Sequence, residues 1–257
     1  DITHHEDETD LMRPLIIIPS RMKAVRLPGK PLAEINGKPM VQHVYERASE
    51  SSKLSAVLVA TDHQKIFDTV AGFGGNVIMT SEHHPSGTDR CYEAYTASGK
   101  IYDYIINIQG DEPFIRPEQI DQCAGLLDGK VELATMVAKI SDEDALFSTN
   151  TVKVLFDKTH QAIYFSRETL PHLRGIDKQE YLNNYIFYKH VSIYAYRADI
   201  LKAITLLKPS VLEEAEKLEQ LRWIENGYKI KIGVTEYDSF GIDTEEDLQK
   251  ALKYFSV

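Results

Sequence analysis

Leu15-Ile16-Ile17-Ile18-Pro19-Ser20-Arg21, running on to Arg26-Leu27-Pro28-Gly29-Lys30-Pro31-Leu32, joins a short apolar run to a turn-rich cationic loop. Apolar residues followed by Pro, Ser and Gly read as a buried strand giving way to irregular chain. The loop carries Arg21, Lys23, Arg26 and Lys30 without a carboxylate, in a chain of formal net charge -10. Cations gathered on a Gly/Pro-bearing loop at a strand end suit an α/β protein that holds a triphosphate. One or two such lysines would fit a solvated surface loop equally well; four cations beside Pro28-Gly29 fit it less well.

Outward from this stretch the chain alternates. Strand-like runs at 15–18, 56–60, 76–79 and 104–108 are separated by helical patterns at 39–48, 64–72, 88–97 and 117–127. Pro39 opens the first helix, where a missing N–H costs nothing. The βαβα order predicts an α/β fold, a mostly parallel sheet with helices on both faces and ligands at the carboxyl ends of its strands. After about residue 133 the pattern changes. Strand-like segments at 151–156, 162–165 and 190–196 surround a polar stretch, 168–184, which reads as an inserted lid or subunit-contact region at about 150–212. A helical pattern at 212–225, a strand at 229–234 and a helix at 245–254 follow. Residues 1–12 hold His4-His5 and several acids without apolar periodicity. They read as a disordered leader or tag remnant, leaving 13–257 as a single α/β domain.

A chain of 257 residues, 43% hydrophobic and 26% charged, can bury a full core. Its apolar runs are too short to span a bilayer, so a soluble protein is expected. Cys91 and Cys123 have no metal spacing and read as core thiols in a reducing cytoplasm. The acidic balance excludes a broad nucleic-acid footprint, and any anionic substrate must be held by local charge.

Several segments carry candidate chemistry. Gly29-Lys30 and Gly37-Lys38 are each followed by proline, which excludes a Walker A loop. Gly72-Phe73-Gly74-Gly75 fails the dinucleotide fingerprint and reads as a helix end, which argues against an NAD-dependent dehydrogenase. Asn107-Ile108-Gln109-Gly110-Asp111-Glu112-Pro113 puts Asp111 on a tight turn after the fourth strand, a setting for hard oxygen ligands to Mg²⁺. In Gly241-Ile242-Asp243-Thr244-Glu245-Glu246-Asp247, Asp243 or Thr244 reads first as a helix cap. Asp243 could also join Asp111 around a metal. Ser86-Gly87-Thr88-Asp89-Arg90 is a helix-opening turn whose N–H groups and hydroxyls could meet a nucleotide. Leu212, Ala215, Leu218 and Trp223 form an ordinary core stripe with solvated glutamates between them. His190, among apolar and aromatic residues, reads as a hydrogen-bonded core histidine.

In order along the chain stand the cationic loop, Ala60-Thr61-Asp62, Ser86–Arg90, Gln109–Pro113, Tyr164-Phe165-Ser166-Arg167, Lys189-His190-Val191-Ser192-Ile193-Tyr194, Leu218-Glu219-Gln220-Leu221-Arg222 and Gly241–Asp247. Together, from about Arg13 onward, they resemble the 3-deoxy-manno-octulosonate cytidylyltransferases, or CMP-KDO synthetases. The resemblance implies a nucleotide-diphospho-sugar transferase-like fold, with a Rossmann-like sheet and a smaller inserted sugar-binding and dimerisation region. It also implies a cytoplasmic homodimer that moves CMP from CTP to 3-deoxy-D-manno-octulosonate (KDO), releases pyrophosphate and feeds lipopolysaccharide assembly.

By that likeness Arg21, Arg26 and Lys30 hold the triphosphate, and Ser86, Thr88 and Gln109 line the nucleoside pocket. Asp111 and Asp243 ligate Mg²⁺, while Arg167, Arg174, His190, Tyr194, Glu219 and Gln220 bind the acid sugar. In-line attack of the anomeric hydroxyl on the α-phosphorus needs alignment and charge neutralisation more than a strong base. The chain departs from its relatives at Met22-Lys23-Ala24-Val25, leaving Lys23 for phosphate or for solvent. It departs again at Val191-Ser192, beside the expected sugar pocket, which leaves 8-amino-KDO as an alternative; another acid sugar such as a nonulosonate is a further alternative, against which Leu218–Arg222 and Tyr164–Arg167 speak.

Overall fold

The structure, a computed structural model, describes residues 14–23 and 27–255. The expected leader 1–12, residue 13 and Arg26 lie outside the described residues.

Strand β1 (Leu15–Ser20) is buried along its whole length, because it sits inside the sheet with a covered face on each side. It pairs in parallel with β4 (Ala56–Thr61) and β6 (Tyr104–Ile108), and β4 pairs in parallel with β5 (Val77–Met79). Between these strands run the short antiparallel pair β2 (Glu34–Ile35) and β3 (Lys38–Pro39) and helices α1 (Met40–Ser49), α2 (Gln64–Gly72) and α3 (Gly87–Ala97). Helix α4 (Pro117–Ala124) follows β6, with Pro117 in its first turn as the sequence predicts.

Alternation along β1 sets the two core layers. Ile16 and Ile18 join Val41 and Val44 of α1, Ile66 of α2 and Ile120 of α4. Leu15 and Ile17 face Cys91 and Ala94 of α3 in the other layer. Cys91 and Cys123 are buried free thiols, one in each layer.

The later half departs from the expected pattern. β7 (Leu133–Lys139) was not anticipated, and it is a sheet strand buried at six of its seven positions. Helix α5 (Glu143–Phe147) leads to a hairpin of β8 (Lys153–Phe156) and β9 (Ala162–Ser166). The polar stretch beyond it contains helix α6 (Tyr181–Asn184) and closes over a small cluster of Ile140, Leu146, Tyr181 and Phe187. β10 (Tyr188–Arg197) then returns to the main sheet, antiparallel to both β6 and β7. The expected insertion to about residue 212 therefore includes a central sheet strand and also α7 (Ala198–Thr205), whose Leu201 and Ile204 are core residues.

The helical pattern expected over 212–225 divides into α8 (Val211–Glu216) and α9 (Gln220–Glu225), because Lys217 adopts a left-handed conformation at φ 55°. Leu218 and Trp223 are buried as predicted, whereas Leu212 and Ala215 are exposed. β11 (Ile230–Thr235) lies parallel to β7, and α10 (Glu245–Phe255) follows. The sheet order is β11-β7-β10-β6-β1-β4-β5, with the β8–β9 hairpin attached through β10.

Candidate active site

The turn after β6 and the segment before α10 meet at the carboxyl edge of the sheet. The Ile242 N–H donates to the Asp111 carbonyl at 2.8 Å, which holds the two chain segments in register. Thr244 and Asp247 bond to each other at the start of α10, the Asp247 N–H to Thr244 Oγ1 at 3.2 Å and the Thr244 N–H to Asp247 Oδ2 at 3.0 Å. Of the two capping candidates, Thr244 takes the cap, and the Asp243 carboxylate meets the cationic loop.

There Lys30 joins both acids. Its ammonium donates to Asp111 Oδ2 and, at 3.0 Å, to Asp243 Oδ1. Lys30 begins a 3₁₀ turn behind Gly29, which is left-handed at φ 71°. Burial pulls the Lys30 ammonium down, but the two carboxylates outweigh it and hold its pKa above the ordinary lysine value. Burial, followed by the charges of Asp111 and Asp243, pushes the Glu112 carboxyl up to about 8.

Two carboxylates that converge on one cation fit Mg²⁺, which takes one or two protein carboxylates and completes its sphere with water and substrate phosphate. Arg21 and Lys23 are exposed at the end of β1, with Lys23 paired to Glu82 at 3.5 Å.

A second polar cluster lies at the start of α3. Gly87 packs against Pro19 and Gln109; a Cβ there would stand 3.3 Å from Pro19 Cγ and 3.5 Å from Gln109 Nε2. Gln109 Nε2 donates to Asn107 Oδ1 at 3.1 Å, and Asn107 Nδ2 donates to Tyr196 Oη at 3.0 Å. The Tyr196 hydroxyl lies 3.2 Å from Thr88 Oγ1, which donates to Glu219 Oε2 at 3.1 Å. Ser86 Oγ lies 2.6 Å from Asp89 Oδ2 and 3.1 Å from Glu219 Oε1. The Ser86 hydroxyl is thus shared between two carboxylates, with Asp89 the closer. Burial pushes the Glu219 carboxyl up to about 7 against the lowering effect of Thr88 and Ser86. A cavity of ≈ 290 Å³ opens beside Ser86 and Glu219, walled also by Pro85, Pro209, Lys217 and Arg222.

The remaining expected sugar residues divide. His190 and Tyr194 lie side by side on β10 with ring centroids 5.0 Å apart, and Tyr194 in turn lies against Tyr196 at 6.1 Å. This row links His190 to the Thr88–Glu219 cluster. Gln220 is buried at the start of α9. Arg167 is committed to main-chain carbonyls, with Nε on Glu216 at 2.8 Å and Nη1 on Thr149 at 3.1 Å. Arg174 is exposed on the loop after β9, and among the described residues no hydrogen bond ties it to this cluster. Asp62 and Arg90 form a buried pair at 3.0 Å that braces the loops after β4 and β5.

A family model described as cytidylyltransferase matches residues 15–231. The chain is 56% identical over 233 residues to the 3-deoxy-manno-octulosonate cytidylyltransferase of Cytophaga hutchinsonii, spanning 90% of this chain and 93% of that protein. It belongs to the 3-deoxy-manno-octulosonate cytidylyltransferase family. A member from Parabacteroides distasonis is 52% identical over 251 residues, 96% of this chain and 99% of that one. Among solved structures, CMP:2-keto-3-deoxy-manno-octonic acid synthetase complexed with CTP superposes with a TM-score of 0.87 at 39% identity, covering 95% of this chain and 98% of the other.

Sequence reasoning missed several members of this cytidylyltransferase's polar network. Asn107 and Tyr196 bridge Gln109 to Thr88, and a signal existed for each. Asn107 interrupts an apolar strand two residues before Gln109, and Tyr196 follows Tyr194 at the same-face spacing of a strand. Glu216 was also missed. It accepts from Ser166 Oγ at 2.6 Å and from the Arg167 N–H at 2.9 Å, fastening α8 to the end of β9.

Proposed function

We propose that this chain transfers the CMP unit of CTP to the anomeric hydroxyl of KDO, forming CMP-KDO and releasing pyrophosphate. The observation that carries the reading is the meeting of Lys30, Asp111 and Asp243 at the carboxyl edge of the sheet, in a chain whose relatives are named for that reaction.

Arg21 and Lys30, with Arg26, are assigned to the triphosphate, and Ser86, Thr88 and Gln109 to the nucleoside. Asp111 and Asp243 would hold Mg²⁺. When bound there, the ion supplies Lewis-acid neutralisation of the α-phosphate. Lys30 keeps the two carboxylates together and, once released from them, neutralises charge gathering on the departing pyrophosphate. Glu219, Gln220, His190 and Tyr194 orient the sugar so that its anomeric oxygen faces the α-phosphorus in line. Glu219 near neutrality is suited to give or take the hydrogen bond of a sugar hydroxyl. Arg167 is assigned to holding the α8–α9 link that presents Glu219, because its donors already serve the carbonyls of that link. Arg174, exposed on the loop after β9, is kept as a candidate contact for the sugar carboxylate.

The proposed partner is a second copy of the chain. Ile163, Ile176, Tyr185 and Ile186, on and beyond β9, are exposed apolar residues that a homodimer contact would cover. A cytoplasmic setting accords with two buried free thiols, and no helix among the described residues is long and apolar enough to cross a membrane.

Pyrophosphate release with CTP and Mg²⁺ tests the reading, with KDO, 8-amino-KDO and a nonulosonate supplied in parallel. Release that requires KDO and stops with EDTA is the expected result. Release with the nonulosonate alone would contradict the assignment.

A further inference from the structure

β10 carries a bulge opposite Thr135. Val191 pairs with Met136 and Tyr194 pairs with Thr135, so Ser192 and Ile193 are extra residues against β7. Such bulges re-aim the side chains around them. Thr135 is fully buried and fills this one. Its Oγ1 lies 2.7 Å from the Ile193 carbonyl, 3.4 Å from the Val191 carbonyl and 2.8 Å from His190 Nε2.

These contacts fix the proton on His190. Thr135 has one hydroxyl proton, and a carbonyl oxygen can only accept. The proton therefore lies on the close contact to Ile193. Without it, two acceptor oxygens would face each other at 2.7 Å. The threonine can then only accept from the imidazole, so Nε2 carries the ring hydrogen. Among the described residues no donor reaches Nδ1. Burial holds the ring neutral, with its pKa pushed down to about 3. Phe165 packs edge-on against the ring at 5.5 Å, and Tyr194 lies on another side of it.

We propose that Thr135 is a positioning residue that holds His190 as the Nε2–H tautomer, leaving Nδ1 as a lone pair for a hydroxyl of the acid sugar. The sugar half of this statement rests on the functional reading above; the tautomer does not. The chemistry is selective. An Nδ1 lone pair accepts from a hydroxyl and repels a carboxylate, so a polyol face of the substrate, and not its acid group, is placed against β10. The same reading explains why a buried threonine stands in a strand otherwise rich in Ala, Val and Met.

The tautomer is read directly by long-range proton–nitrogen NMR of the full chain labelled at histidine, with the His190 signals assigned by their loss in His190→Asn. The expected spectrum has a protonated Nε2 and a bare Nδ1. Thr135→Val removes the acceptor and should give a mixed or reversed ring pattern. It should also raise the KM for KDO about tenfold, while kcat and the KM for CTP stay within about twofold, the scale of one neutral hydrogen bond. Thr135→Ser should restore both the ring pattern and the KM for KDO. A proton on Nδ1 in the wild type overturns the proposal, even where the valine variant fails to fold. So does a valine variant with wild-type ring pattern and KM. If Nε2 is protonated but no sugar-dependent pyrophosphate appears, the functional reading falls and takes the sugar half with it, while the tautomer stands.

Discussion

Glu219 lies within hydrogen-bonding distance of the Ser86 and Thr88 hydroxyls, yet burial dominates and its pKa is pushed up to about 7 from an ordinary 4.5. The folded-state pKa lies above the unfolded value, so this group's stabilisation is fully present below about pH 4.5 and is lost as pH rises through about 7. Glu219→Gln stays neutral throughout. Its thermal midpoint should gain on the wild type between about pH 5 and pH 8, and a gap that does not change with pH would contradict the assignment. The sequence pointed to Glu219 as a sugar residue through its Leu-Glu-Gln-Leu-Arg motif, and nothing in it showed the contact with Thr88. Residues 131 positions apart are joined by the fold, not by any local pattern.

Elements were legible where burial was one-sided or complete. β1 announced itself by four consecutive apolar residues, and α1 by Pro39 and a clear stripe. β7 escaped because Ala134, Met136 and Ala138 carry little strand propensity, leaving only Thr135 and Val137 as β-branched residues among its seven. Tertiary pairing with β10 and β11 makes the strand, and Thr135 escaped with it. The antiparallel course of β10 was equally hidden, since a strand of alternating residues reads the same in either direction. Gly110 sits tightly against the end of β1: a Cβ there would stand 3.1 Å from the Pro19 carbonyl and closer still to Ser20 Oγ. Gly110→Ala should cost about 1–3 kcal/mol of stability by overpacking the ends of β1 and β6. Denaturant unfolding measures it, and an unchanged midpoint would mean that these ends are looser than described.

Across the whole molecule, a chain of net charge -10 gathers its candidate chemistry at one edge of a single sheet. The cationic loop and the Gln109–Pro113 turn made that edge readable from the sequence, because each follows a strand and α/β sheets bind ligands there. The partnership among the motifs was not readable. Lys30 and Asp243 are separated by 213 positions and meet because Ile242 bonds to the Asp111 carbonyl. We propose this meeting point as the place where CMP is transferred. Its most direct test is KDO-dependent pyrophosphate release by Asp111→Asn and Asp243→Asn beside the wild type, with circular dichroism and thermal unfolding run on the same samples. Each variant should keep its fold and lose about 10²-fold or more in turnover. Near-wild-type turnover in either variant would contradict the claim.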